Sequence, residues 1–459
     1  MLWAILVYAA ALAAAGLYFG RRVHAAADFF VASRGLPAGL LFSTFLAANL
    51  GAGATVGVAQ LGYQYGLAAW WWVGSAGIGS LLLAYFVGPR IWAVAAEHDL
   101  YTVGDYLELR YSRSVRLLLA SFLWLGSLAI LAGQLIAMGF ILEVAAGLPR
   151  AWGCALGGVL VTLYFAAGGL WGTARINLIQ ILVKGAGFCI AVPWVLREAG
   201  ALGQGTPDPQ AYLSVFGDPD AALGWALILI PSFLVSPGLL QKLFGARDAA
   251  TVRRAVGAQG FVLLGYSFLP VLLGMAARAL YPDLADAGLA LPHVLAHALP
   301  TWIGGLLLAA IFSAEVSSAD AVLFMISTSV ARDLGQTLLK LPDAALLRWT
   351  RVTAVLAGAA GVALAVWLDS IIAALTLFYS LLTVTLFVPL LGGLYWSRPG
   401  PTAALASMLA GAAGALAFNS QIGIALAALA FLVFSPWRRP PGLQGRPPGR
   451  PSQLSRTDP

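Results

Sequence analysis

Charge is what this sequence has least of. Only 10% of its 459 residues are Asp, Glu, Lys or Arg, against 60% hydrophobic, a balance that no water-soluble globular class shows. Mean hydropathy is +0.86, so lipid must be the solvent for most of the chain. Cysteine is nearly absent as well. Cys154 and Cys189 are the two present, both in hydrophobic runs, which excludes a disulfide framework and a CxxC metal site. HExxH, GxSxG and Walker A signatures are missing, which argues against an enzyme. Of the four histidines, His293 and His297 stand four apart and could share a metal on a helix face, but no acidic partner accompanies them. Rings of charge and a carbonyl filter sequence, the marks of a channel, are also lacking.

Long hydrophobic runs fill the space that charge leaves. Stretches of the ~20 residues needed to cross a hydrocarbon core are expected at about 2–20, 38–63, 68–92, 115–145, 151–169, 174–197, 222–242, 255–279, 299–331, 351–369, 371–396, 401–418 and 420–436. The first has no basic residue before its apolar run and no small-residue cleavage site, so it reads as a spanning helix and not a signal peptide. The fold class is therefore all-α integral membrane, with about 13 transmembrane helices in a single domain over 1–437. After Trp437 a Pro- and Arg-rich run (438–459) reads as a disordered basic tail.

Basic residues orient the helices, because short cytoplasmic loops hold the excess of Lys and Arg. With the N-terminus outside and the C-terminus cytoplasmic, 22 of the 26 fall in internal loops and the tail. Arg150, Arg197 and Arg278 fall outside, and Lys184 lies within a helix. The net charge of +7 reflects this orientation in an inner membrane and implies no nucleic-acid partner.

Two spans carry breaks. The run Ala47-Ala48-Asn49-Leu50-Gly51-Ala52-Gly53-Ala54-Thr55 places two glycines and an asparagine at mid-membrane, and Pro231-Ser232-Phe233-Leu234-Val235-Ser236-Pro237-Gly238 places two prolines there. Each proline removes a backbone donor, so carbonyls near Phe233 are expected to leave the helix ladder. Irregular backbone at that depth must face protein, a cavity or an ion. The breaks open two blocks of five spans, 38–197 and 222–396, and an odd number per block inverts the second. A five-plus-five inverted-repeat transporter core with two discontinuous helices follows.

The sequence resembles the sodium/solute symporter family, which includes sodium-coupled proline, pantothenate and glucose carriers. The resemblance covers roughly 25–400. It rests on Asp28-Phe29-Phe30-Val31-Ala32-Ser33-Arg34-Gly35-Leu36-Pro37 leading into Ala47-Ala48-Asn49-Leu50, on Gly168-Gly169-Leu170 before Asn177-Leu178-Ile179-Gln180, on Pro237-Gly238-Leu239-Leu240-Gln241, on Ser317-Ser318-Ala319-Asp320, and on Pro389-Leu390-Leu391-Gly392-Gly393-Leu394-Tyr395-Trp396.

The resemblance implies a sodium site formed by the carbonyls of Ala47, Leu50 and Ala314 and the hydroxyls of Ser317 and Ser318. Such oxygens suit a hard cation, although the two serines could instead bond the carbonyl four residues back. It also implies a solute site beside the ion, walled by Asn49, Gly53, Ala54, Thr55, Gln134, Phe233, Ser236, Pro237, Thr376 and Tyr379.

Ionisable groups inside a membrane are functional candidates by default. Asp320 matches an acidic position common in the family and could simply hold a helix end, while Glu315 stands where many relatives are apolar. Asn177 replaces an aspartate linked in relatives to a second sodium, and Lys184 lies seven residues further along the same side. A lysine there could pair with Glu315 or take the place of sodium.

The expectation is sodium-coupled symport of a small polar organic solute into the cell by alternating access. The alternatives are a proton-coupled or sodium-independent transporter or exchanger of the same fold, and a transporter-like solute sensor.

Overall fold

The computed structural model describes residues 34–435 except 168–169, 205, 331–334, 336–342 and 369, together with six of the first ten residues; the side chains of 164, 166–178, 328 and 343–347 also lie outside it. Most of the expected first span and all of 438–459 therefore fall outside the described residues, as does the side chain of Asn177.

From the N-terminal side, α1 (Ala38–Asn49) and α2 (Val56–Tyr65) form one crossing interrupted at mid-length. α3 (Trp70–Leu82) runs through a π turn at Leu83–Val87 into α4 (Gly88–Glu97). The short α5 (Val103–Arg110) precedes α6 (Arg113–Ala146), α7 (Arg150–Ala167) and α8 (Leu170–Ala199). After the small α9 (Pro209–Tyr212), α10 (Pro219–Val235) and α11 (Pro237–Phe244) make the second interrupted crossing. Then come α12 (Ala249–Tyr266), α13 (Phe268–Leu280), α14 (Ala290–His297), α15 (Thr301–Thr328), α16 (Asp343–Trp367), α17 (Ile371–Tyr395), α18 (Pro401–Ala417) and α19 (Ser420–Val433).

Helices thus stand at twelve of the thirteen expected spans. Among the described residues, eight helical runs are long and apolar enough to cross on their own, and Ala38–Asn49, Arg150–Leu163, Pro401–Ala417 and Ser420–Val433 are shorter apolar helices. The two interrupted crossings each open a block of five. The third member of each block, α6 with 34 residues and α15 with 28, is long and buried.

The ends of these helices follow from local chemistry. Ser112 caps α6 by accepting from the Val115 N–H, and Gly147 closes it at φ +66°, a backbone state glycine adopts without strain. In α5 a capping box joins Thr102 and Asp105.

α1 is held by α8, α11, α12 and α15, α2 by α13, and α10 by α3 and α17. The interrupted crossings therefore sit inside the bundle, where their irregular backbone meets protein and not lipid.

The arginines at one end of the bundle tie its loops together. Arg34 donates to the carbonyls of Phe244 (3.1 Å) and Leu100 (2.8 Å) and pairs with Asp99 at 3.1 Å. Arg110 donates to the carbonyls of Gly393 and Trp396, and Arg116 pairs with Asp105 at 2.9 Å and Glu108 at 2.7 Å. At the opposite end, Tyr63 donates toward the carbonyls of Tyr281 and Pro282.

Two sequence expectations need correction here. Pro231 does not open its helix, since α10 stays helical through Val235. The carbonyl of Ile228, in the turn before that proline, has the hydroxyls of Ser232 and Thr383 at 2.7 and 2.9 Å. These hydroxyls tie α10 to α17 one residue beyond Leu227, whose carbonyl is the one that Pro231 leaves without its helical donor. The break falls instead at Ser236 (φ −54°, ψ 117°), because Pro237 drives the residue before it out of the helical region. Lys242, expected in an internal loop, lies inside α11. It is buried and donates to the carbonyl of Thr44 at 3.2 Å.

Candidate functional site

The site is built on the interruption between α1 and α2. α1 ends at Asn49, and Leu50 and Gly51 leave helical geometry (φ −93°, ψ 37° and φ −86°, ψ −158°). The Ala54 N–H, which a continuous helix would direct at Leu50, goes to Gly51 at 2.9 Å. That shift frees the Leu50 carbonyl. Two neighbouring helices then engage the interruption: Gln134 of α6 accepts from the Ala52 N–H at 2.8 Å, and Ser318 of α15 donates to the Ala47 carbonyl at 2.9 Å.

Gly51 is required by this approach. A Cβ there would lie 2.5 Å from Gln134 Oε1 and 2.6 Å from Ser318 Cβ and Oγ.

One cavity of about 30 Å³ lies on the α6 side of the interruption. Asn49, Gly53, Ala54, Gln134, Phe233 and Tyr379 line it, as the sequence reading expects, together with Trp72, Ile130, Leu375 and others. Thr55, Ser236 and Thr376 do not. Thr55 turns away to place its hydroxyl 2.6 Å from Glu315 Oε1, Ser236 is the turn between α10 and α11, and Thr376 is half-buried outside the lining.

Among the described residues, none on the wall carries a charged side chain. Phe233 and Tyr379 sit with ring centroids 5.5 Å apart, and Trp72 meets Tyr379 edge-on at 6.2 Å. Asn49 Nδ2 is buried without a partner. Gln134 spends its oxygen on Ala52, which leaves its amide N–H₂ as the free polar end. The cavity therefore offers hydrogen-bond donors beside an aromatic wall.

A second, smaller cavity lies on the other side of the interruption. Ala47, Leu50, Ala314 and Ser317 line it with Gln180, Ile181 and Lys184. Four of the five expected sodium ligands meet there, and the fifth, Ser318, is bonded to Ala47. Lys184 is 2% exposed, and its ammonium donates to the Leu50 carbonyl. Glu315, fully buried on α15, attracts that ammonium electrostatically and holds Thr55. The same arrangement recurs six residues toward the basic end, where Lys242 reaches the Thr44 carbonyl and is attracted by Asp320.

The oxygens alone suit a sodium ion, being carbonyls and hydroxyls of the kind hard cations take. The complete set does not fit one, because an ammonium already engages the Leu50 carbonyl. A second unit charge about 4 Å from it would be disfavoured by about 4 kcal/mol at an effective dielectric constant near 20.

Sequence reasoning missed Trp72 and the role of Lys242. Trp72 sits in the run Trp70-Trp71-Trp72, where pattern alone does not say which ring turns inward. For Lys242 the available signal was a cation two residues before Phe244 in an otherwise apolar segment. His293 and His297 stack at 4.1 Å near Tyr281. Burial and the His297 ring hold His293 below the ordinary imidazole range, and among the described residues no group of three metal-ligating side chains forms.

The family model described as "Sodium:solute symporter family" matches residues 29–411. The sodium/pantothenate symporter of Escherichia coli (strain K12) is 27% identical, the match covering 84% of this chain and 82% of that protein. The sodium/glucose cotransporter of Vibrio parahaemolyticus is 25% identical, over 72% and 67% respectively. Among solved structures, a substrate-bound, outward-open Na⁺-coupled sialic acid symporter is similar with a TM-score of 0.77 at 18% identity, covering 94% of this chain and 98% of that one. A nucleobase-cation-symport-1 transporter in a closed conformation is similar at 0.60 and 14%.

Proposed function

From the premise that the chain belongs to the sodium:solute symporter family, we propose that it carries a small polar organic solute across the bilayer by alternating access, binding it in the cavity between Asn49, Gln134, Trp72, Phe233 and Tyr379. It is a multi-pass membrane transporter and not an enzyme. The observation that supports this reading is the uncharged cavity set against an interrupted helix, with the unpartnered Asn49 amide and the free end of Gln134 on its wall. Interrupted helices at mid-membrane are where transporters of this architecture hold their cargo.

The chemistry of the wall narrows the solute. Two amide donors suit a carbonyl, carboxylate or hydroxyl oxygen, and the rings suit a flat or apolar body. With no charged side chain among the described residues of that wall, a neutral or zwitterionic solute is favoured over a strongly charged one. Amino acids, monocarboxylates and sugars form the panel to try. Coupled to the inward sodium gradient that family membership supports, transport runs into the cell.

Family membership supports sodium as the coupling ion. One observation favours a second reading, in which no sodium takes part: the Lys184 ammonium at the Leu50 carbonyl.

Uptake into liposomes holding the purified protein tests the solute site. Asn49→Leu is expected to lower the affinity for the transported solute by about five- to 150-fold, since it removes a buried donor worth about 1–3 kcal/mol when left unmatched. The folded yield should be unchanged. Unaltered affinity in that variant would place the solute elsewhere.

A further inference from the structure

Resting on the transport reading above, we infer that the Lys184 side chain is this protein's own cation at the interrupted helix, taking the place of the family's sodium there, so that solute movement does not depend on sodium.

The geometry is specific. A free cation at this position would bridge carbonyls released by the interruption to the long helix α15. Lys184 reaches the same cavity from α8. Its ammonium donates to Leu50, the carbonyl whose helical partner Ala54 has turned to Gly51. It shares its cavity with Ala47, Ala314 and Ser317. Glu315 of α15 attracts the ammonium electrostatically without an ion-pair contact, and through Thr55 that carboxylate reaches the start of α2.

The freed carbonyl thus has its cation from a side chain of the chain itself, while Glu315 Oε2 stays buried without a hydrogen-bond partner. Lys184 is also among the largest fully buried side chains of the protein. A lysine is tolerated at that depth only where acceptors and a countercharge meet it. The remaining wall beyond the ammonium, Phe188, Ala191, Leu295, Leu307, Ala310 and Ile311, is apolar, so nothing there draws the side chain to another position. Lysine carries its charge on a tether and cannot leave with the cargo, whereas a bound sodium ion can.

The test compares sodium chloride with choline chloride at matched ionic strength on the full-length purified protein, by thermal unfolding and by uptake. The wild-type protein is expected to melt at the same temperature in both salts and to transport its solute at rates within about twofold. Lys184→Ala vacates the site and leaves Glu315 to attract a cation. It is expected to gain stabilisation by sodium alone and a sodium requirement of at least about tenfold in uptake, a coupling of ordinary size.

Sodium-specific stabilisation of the wild-type protein, or a folded Lys184→Ala variant indifferent to both salts, overturns the assignment. If Lys184→Ala is recovered folded in sodium but not in choline, that too supports it. If it folds in neither, the wild-type comparison decides alone. Failure of every solute to be taken up, with sodium still without effect on melting, counts against the transport reading and not against the ion assignment.

Discussion

Glu315→Leu is expected to be the most destabilising single substitution in the protein. The carboxylate is fully buried on α15 and is the countercharge of Lys184. Removing one member of a buried pair of opposite charges leaves the other without compensation and costs up to about 3–5 kcal/mol. Replacing both members by apolar groups of similar volume is often neutral. Glu315→Leu combined with Lys184→Met is therefore expected to recover most of the lost stability while abolishing transport. Melting in detergent, followed by size-exclusion fluorescence, separates the three cases. If the single variant melts with the wild-type protein, Glu315 is not what holds Lys184.

Gly51→Ala is expected to reduce transport by about ten- to a hundredfold, the equivalent of the about 1–3 kcal/mol that overpacking a tight contact costs. The added methyl group would meet Gln134 Oε1 at 2.5 Å and the Ser318 side chain at 2.6 Å. These are the atoms through which α6 and α15 hold the interruption. The conformation is not the obstacle, since Gly51 has a negative φ; the crowding is. Gly39, with nothing near its Cβ position, provides the control, and Gly39→Ala should transport normally. A Gly51→Ala variant with wild-type uptake would show that the interruption tolerates a wider spacing than its contacts indicate.

The architecture was legible because membrane helices announce themselves by length and hydropathy. The first interruption was equally plain, since two glycines and an asparagine cannot pass for a uniform helix at mid-membrane. The second was only half readable. Pro231 and Pro237 look alike in sequence, yet Pro231 stays helical beside the hydroxyls of Ser232 and Thr383, and Thr383 arrives from a distant helix that local pattern does not reveal.

Helical phase was the other limit. Thr55 was assigned to the cavity by resemblance, but a 3₁₀ turn at Ala52–Ala54 rotates it toward Glu315. Trp72 was hidden among three adjacent tryptophans, and Thr376 and Ser236 were assigned by resemblance to a wall that their helices turn elsewhere. Lys242 read as a loop cation because a charge near a span end usually is one; its burial against Thr44 depends on α11 continuing to Phe244.

Solute-dependent stabilisation tests the central claim most directly. The wild-type protein, Asn49→Leu and Gln134→Leu are to be melted against a panel of amino acids, monocarboxylates and sugars. At least one solute is expected to raise the wild-type melting temperature and to lose that effect in Asn49→Leu and in Gln134→Leu. A panel in which the same solute stabilises all three proteins equally would contradict the account.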